Sequence, residues 1–159
     1  MKKIIAMLIL LLSILTVISP ATAAENDENC VWVLCQPDSY VVIREGPRRK
    51  SAEGGSAYCG DRFETDWKEK NGFIHVFAST ESGEGWISKG YIVLDEPKPV
   101  MKNCRIRSGG RVAVRASIGG KRTRWAKSGS EIKVYWTSAE WAVTSKGFVM
   151  AEFIEKGEE

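Results

Sequence analysis

The sequence predicts an all-β protein, two small β-barrels in tandem behind an export signal. Three observations predict it. The first 23 residues have the layout of a secretory leader. The remainder is short β-type runs separated by turn residues, with no sustained helical periodicity. Four sequence landmarks then recur in the same order in the second half.

Lys2 and Lys3 form a positive n-region. Ile4 to Ile18 is an apolar stretch broken only by Ser13 and Thr16, shorter than the roughly 20 residues a membrane-spanning helix needs. Pro20 interrupts it, and Ala21-Thr22-Ala23 offers small residues where a signal peptidase reads. Residues 1–23 are therefore expected to be a signal peptide cleaved after Ala23. The competing reading is an uncleaved anchor. No cysteine stands at the cleavage site to carry a lipid. The expected location is secreted or extracytoplasmic, with the cell wall as one destination.

The chain has 159 residues and a formal net charge of +3. That balance hides an asymmetry. Residues 24–97 carry 8 basic and 14 acidic residues, whereas residues 98–159 carry 13 basic and 6 acidic. The four cysteines, Cys30, Cys35, Cys59 and Cys104, all follow the leader, and an even count in an exported chain favours disulfides. A zinc site needs a second close pair that the spacing lacks. Cys30-Val-Trp-Val-Leu-Cys35 reads as a strand, which places its two cysteines roughly 16 Å apart on opposite faces. That is too far for a bridge. Two pairings are left: Cys35–Cys59 with Cys30–Cys104, or Cys30–Cys59 with Cys35–Cys104. The first is preferred because it keeps one bridge local.

The expected strands are Tyr40–Arg44, Asp61–Thr65, Phe73–Ala78, Gly85–Ser88 and Tyr91–Leu94, then Arg111–Arg115, Glu131–Thr137, Trp141–Thr144, Gly147–Met150 and Phe153–Ile154. Val, Ile, Phe, Tyr and Trp fill them, and Gly, Asn, Ser, Asp and Lys fill the gaps. Asp95-Glu96-Pro97-Lys98-Pro99 reads as a linker. The two sets align. Val41-Val42-Ile43-Arg44 matches Val112-Ala113-Val114-Arg115, and Gly60-Asp61-Arg62-Phe63 matches Gly129-Ser130-Glu131-Ile132. The strand from Gly72 matches the one from Glu140, and Gly85 to Ile92 matches Gly147 to Ile154.

These landmarks resemble the bacterial SH3 domain family. Val41, Ile43, Arg44, Gly46 and Pro47 match its opening strand, and Gly85, Trp86, Ile87, Tyr91 and Ile92 match its closing motif. The second copy departs from the pattern, with Ala116-Ser117 for Gly-Pro and Phe148 and Phe153 for Trp and Tyr. The expected division is an N-terminal arm or strand at 24–37, SH3-like domains at 38–95 and 108–156, and a linker at 96–107. The resemblance implies a non-catalytic module that recognises cell-wall peptide or glycan, or a surface protein.

On that reading, Tyr40, Trp67, Trp86 and Tyr91 are the candidate groove, with barrel-covering packing as the alternative role for each. The basic tract from Lys98 to Lys133 holds eleven basic residues and one acid, with Trp125 inside it. Lys121, Arg122, Arg124 and Lys127 are its candidate contacts to an anionic polymer such as teichoic acid, a lipid surface or nucleic acid. A third reading is an interaction subunit of a larger surface or conjugation machine. Enzyme chemistry is not expected. His75 is the one histidine, set between Phe73 and Phe77, and no phosphate loop or metal-ligand cluster is present. No cofactor and no small-molecule substrate are expected.

Overall fold

The computed structural model describes residues 29–78 and 80–155. The expected signal peptide lies outside the described residues. The chain is all-β, in two antiparallel sheets that form two β domains in tandem. No α-helix occurs among the described residues.

The first domain contains β1 (Cys30–Val33), β2 (Val41–Arg44), β3 (Glu53–Ala57), β4 (Arg62–Glu64), β5 (Glu69–Lys70), β6 (Phe73–Phe77), β7 (Glu84–Ser88) and β8 (Ile92–Val93). The second contains β9 (Lys98–Ile106), β10 (Arg111–Arg115), β11 (Arg122–Lys127), β12 (Glu131–Thr137), β13 (Trp141–Thr144), β14 (Gly147–Met150) and β15 (Ile154–Glu155). The sheet orders are β3-β2-β7-β6-β4-β1-β8 and β11-β10-β14-β13-β12-β9-β15. Taken in chain order these are the same path, with β5 as an addition on β6. A 3-10 turn, Lys89–Tyr91 or Ala151–Phe153, precedes the last strand of each. The internal repeat therefore holds at the level of topology. It holds in detail as well. Leu34 N–H donates to Tyr91 O at 2.8 Å, and Arg107 N–H donates to Phe153 O at 2.8 Å.

The expected linker is corrected. Lys98–Ile106 is the longest strand among the described residues, paired with β12 along its length and with β15 at its end. Pro99 is tolerated because that stretch of β9 has only one neighbour. The bulge that follows is set by Met101 at φ 52. The stretch expected as an N-terminal arm or strand holds β1, which lies in the first sheet between β4 and β8. Sequence patterning also passed over β5 and over β3 and β11, each of which lies at one edge of its sheet.

Alternation builds each core. Val41, Ile43, Ile74, Val76 and Ile87 fill the first, and Val112, Val114, Ile132, Ala142 and Val149 fill the second. Cys104 lies in the second core where the first has Val31, as the register of each with its neighbour strand shows. A third cluster joins the domains. Leu34 and Val93 of the first pack with Val143 and Phe148 of the second, flanked by Trp32, Tyr91, Trp136 and Trp141. Gln36 Nε2 donates to Thr144 O at 3.2 Å across this seam, and Ile118 N–H donates to Gly90 O at 2.8 Å.

One close approach recurs in both domains. Gly85 stands against Ile43 and the Arg44 carbonyl, and Gly147 stands against Val114 and the Arg115 carbonyl. Gly147 has φ +128, and a Cβ there would lie 2.6 Å from Arg115 O. Gly147→Ala should lower unfolding free energy in urea by about 2 kcal/mol or more, from backbone strain and the clash together. Gly109→Ala, where a Cβ meets open space, should stay within about 0.5 kcal/mol.

Candidate functional site

A cleft of about 440 Å³ lies beside the seam. Val42 and Arg44 of β2, Phe73 of β6 and Ser88 of β7 form its floor from the first domain. These residues share a face because Arg44 pairs with Trp86 and Phe73 with Ser88 in the ladders. Tyr40, Cys35, Gln36 and Ser39 form one wall, and Tyr91 with Ala116 and Phe148 of the second domain forms the other. Arg49 completes the rim. The result is an aromatic-lined trough with two guanidinium groups. Arg44 spends one N–H on Ser51 O at 2.9 Å and lies 3.6 Å from Glu53.

Of the expected groove residues, Tyr40 and Tyr91 line this cleft. Tyr40 is 55% exposed and tilts against Tyr58 at 6.3 Å, while Tyr91 meets Phe148 edge-on at 6.0 Å. Trp86 is not part of the lining. It is on the same outer face, but its ring packs on His75 with centroids 5.0 Å apart. Trp67 is elsewhere, at φ 59, with Nε1 donating to Asn29 Oδ1 at 3.1 Å. Sequence reading missed Arg44 and Arg49 as cleft residues, and also Phe148, because the cleft is assembled across two domains.

Phe148 is the counterpart of Trp86: Phe148 pairs with Arg115, and Trp86 with Arg44. Likewise Val143 and Trp141 correspond to His75 and Phe73. The outer face that the second domain gives to the seam is thus the face that in the first domain carries the cleft floor and His75.

His75 is 6% exposed. Its Nδ1 lies 3.0 Å from Asp66 Oδ1, its Nε2 lies 3.4 Å from Glu84 Oε2, and Phe77 meets its ring edge-on at 5.5 Å. Lys68 Nζ bonds Asp66 Oδ2 at 2.6 Å. That ammonium, aided by His75, holds the Asp66 carboxyl down at about 2.

All four cysteines are free thiols. Cys35 and Cys59 come together, with Cys35 N–H donating to Cys59 Sγ at 3.4 Å. The Cys59 thiol hydrogen-bonds the Cys35 sulfur, which lowers the pKa of Cys35 and raises that of Cys59. The expected Cys30–Cys104 bridge is not formed, because Cys30 opens β1 of the first domain and Cys104 is packed in the core of the second. Among the described residues no group of three or more His, Cys, Asp or Glu is gathered for a metal ion.

Of the basic residues, Arg122, Arg124 and Lys127 are exposed on edge strand β11, and Lys121 is exposed in the turn before it. The Arg122 guanidinium lies 4.3 Å from the Trp125 ring centroid.

No family model matches this chain, and no curated protein matches it. The solved structures similar to it include two from one organism. NlpC1 from Trichomonas vaginalis is 14% identical with a TM-score of 0.33, over 81% of this chain and 46% of that one. NlpC2 from Trichomonas vaginalis is 12% identical with a TM-score of 0.34, over 81% and 48%. This chain spans about half the length of each, and a likeness of this size transfers no activity.

The Asp66 pairing has a pH consequence. A carboxyl lowered in the folded state stabilises the fold above its unfolded pKa of about 3.9. That contribution is lost as pH falls through about 2. Melting temperatures of the wild type and Asp66→Asn should therefore differ above pH 4 and converge toward pH 2.

Proposed function

We propose that this chain is a non-catalytic, exported binding module of the SH3-like kind that takes an extended cell-wall peptide or glycan segment in the seam cleft. The observation that carries the reading is the cleft itself. Its size, about 440 Å³, falls in the range of about 300–1,000 Å³ usual for ligand sites. Tyr40, Phe73, Tyr91 and Phe148 line it, with Arg44 in its floor and Arg49 at its rim. Aromatic troughs suit extended chains and sugar rings, and guanidinium groups suit carboxylates such as those of wall peptides. The repeated sheet order and the Gly85-to-Ile92 closing segment support the family resemblance.

The second domain supports the same reading indirectly. Its equivalent outer face holds apolar residues of the first domain in the seam. The face is thus one that this architecture uses for contact, and in the first domain part of it stays open as the cleft floor.

The test is equilibrium binding of residues 24–159 to purified peptidoglycan at low and high salt. Binding should resist salt, and Tyr40→Ala should weaken it about tenfold, equivalent to about 1.4 kcal/mol. Arg49→Glu should weaken it as well. No binding at either salt, or binding indifferent to both substitutions, overturns the reading.

The thiol pair belongs to the same proposal. In an oxidising compartment Cys35 and Cys59 exchange with an external disulfide, forming one protein S–S bond and releasing two external thiols. Peptide mapping of exported protein should recover Cys35 linked to Cys59. Finding Cys30 linked to Cys59 instead would overturn this pairing.

A further inference from the structure

We propose that the outer face of the β10–β11 hairpin is a second binding surface, for a phosphodiester-linked polyol polymer. Residues 107–130 hold seven Lys and Arg and no acid. A solvated basic face would explain that composition, but it does not explain the register.

Arg111 stands directly opposite Lys127, and Arg115 opposite Arg122, with Ala113 opposite Trp125 between them. Cross-strand like charges repel and weaken a sheet. Here two such pairs stand on one hairpin, and none of the four has a carboxylate partner among the described residues. Arg115 only donates to Gly120 O at 2.8 Å, and Arg122 covers one face of the Trp125 ring. Trp125 is 48% exposed. An anionic ligand would relieve both repulsions at once.

The spacing selects the ligand. The two cationic pairs are four residues apart along β10, roughly 13 Å at about 3.3 Å per residue. A single phosphate occupies one pair only. Between the pairs lies the neutral stretch of Ala113 and Trp125. The surface therefore reads charge, neutral spacer, charge, as a polymer of phosphates joined by polyol units presents them. Guanidinium groups bind the phosphates in two-pronged fashion. Single-stranded nucleic acid has a similar rhythm, but it is held by aromatics on which successive bases stack. Trp125 is the only aromatic from 107 to 130.

The basic residues of this tract divide accordingly. Arg122 and Lys127 belong to this face. Arg124 stands opposite the buried Val114 beside the β-bulge and is exposed, but it takes no part in the two cationic pairs. Arg111 and Arg115 join the face through pairing, which linear sequence does not display.

The experiment is calorimetric binding of the full mature chain to a synthetic glycerol phosphate oligomer, at low and high salt. Affinity should fall linearly in log–log form with salt, as counterion release requires. Arg111→Glu should weaken binding tenfold or more while raising the melting temperature by a few degrees, since it turns a repulsive pair into an attractive one. Lys127→Gln, which removes the repulsion without adding charge, should move both readouts the same way. Tyr40→Ala should leave this binding unchanged, separating it from the cleft. The proposal is overturned by no binding at low salt, or by wild-type affinity in both hairpin variants. Tighter binding to oligothymidylate of equal charge, or to anionic phosphatidylglycerol vesicles, would overturn it as well.

Discussion

The structure depends on the apolar seam between its two sheets. Leu34, Val93, Val143 and Phe148 are each at most 6% exposed, and none belongs to the core of its own domain. Burying a side chain of this kind contributes about 1.5–3 kcal/mol. Small domains bury little surface on their own account, so the seam is a large part of what either domain gains. It also fixes the cleft. Tyr91 and Phe148 meet edge-on because the seam sets one sheet against the other, and the wall they make exists only in the docked pair.

The repeat was legible in the sequence because its markers are local. Gly60 and Gly129 both require left-handed backbone, at φ 92 and φ 75, and each is followed within two residues by a strand. What sequence patterning missed has a common physical origin. β3 (Glu-Gly-Gly-Ser-Ala) and β11 (Arg-Thr-Arg-Trp-Ala-Lys) are edge strands. Each leans on a single neighbour, so most of its side chains need not be apolar. The strand at Lys98–Ile106 hid behind two prolines and a charge run, which signal a linker by composition. The site was legible only in part. Tyr40 and Tyr91 stand out as aromatics beside the opening strand and in the closing motif, but Phe148 reaches the cleft through a long-range contact that leaves no trace in its neighbours.

The first domain treats its equivalent face differently. Where the second has Val143 and Phe148, the first has His75 and Trp86, and it satisfies the imidazole with Asp66 and Glu84. A buried polar ring is stable only with such partners. The acidic character of the first half thus has a structural use. The basic character of the second half has no counterpart of that kind on the β10–β11 hairpin, where like charges face one another.

The seam is also directional. The first domain contributes Trp32, Leu34 and Val93 to it. By register, the same positions of the second domain are Arg105, Arg107 and Glu155. A head-to-tail stack needs each unit to repeat the surface that seats the next, and here that surface is charged after one step. The second domain therefore acts as a terminal cap in the sense used for solenoids: it receives a neighbour and offers no apolar seat for another. The duplication is closed at two units by three residues, and it cannot propagate into a fibre through this contact.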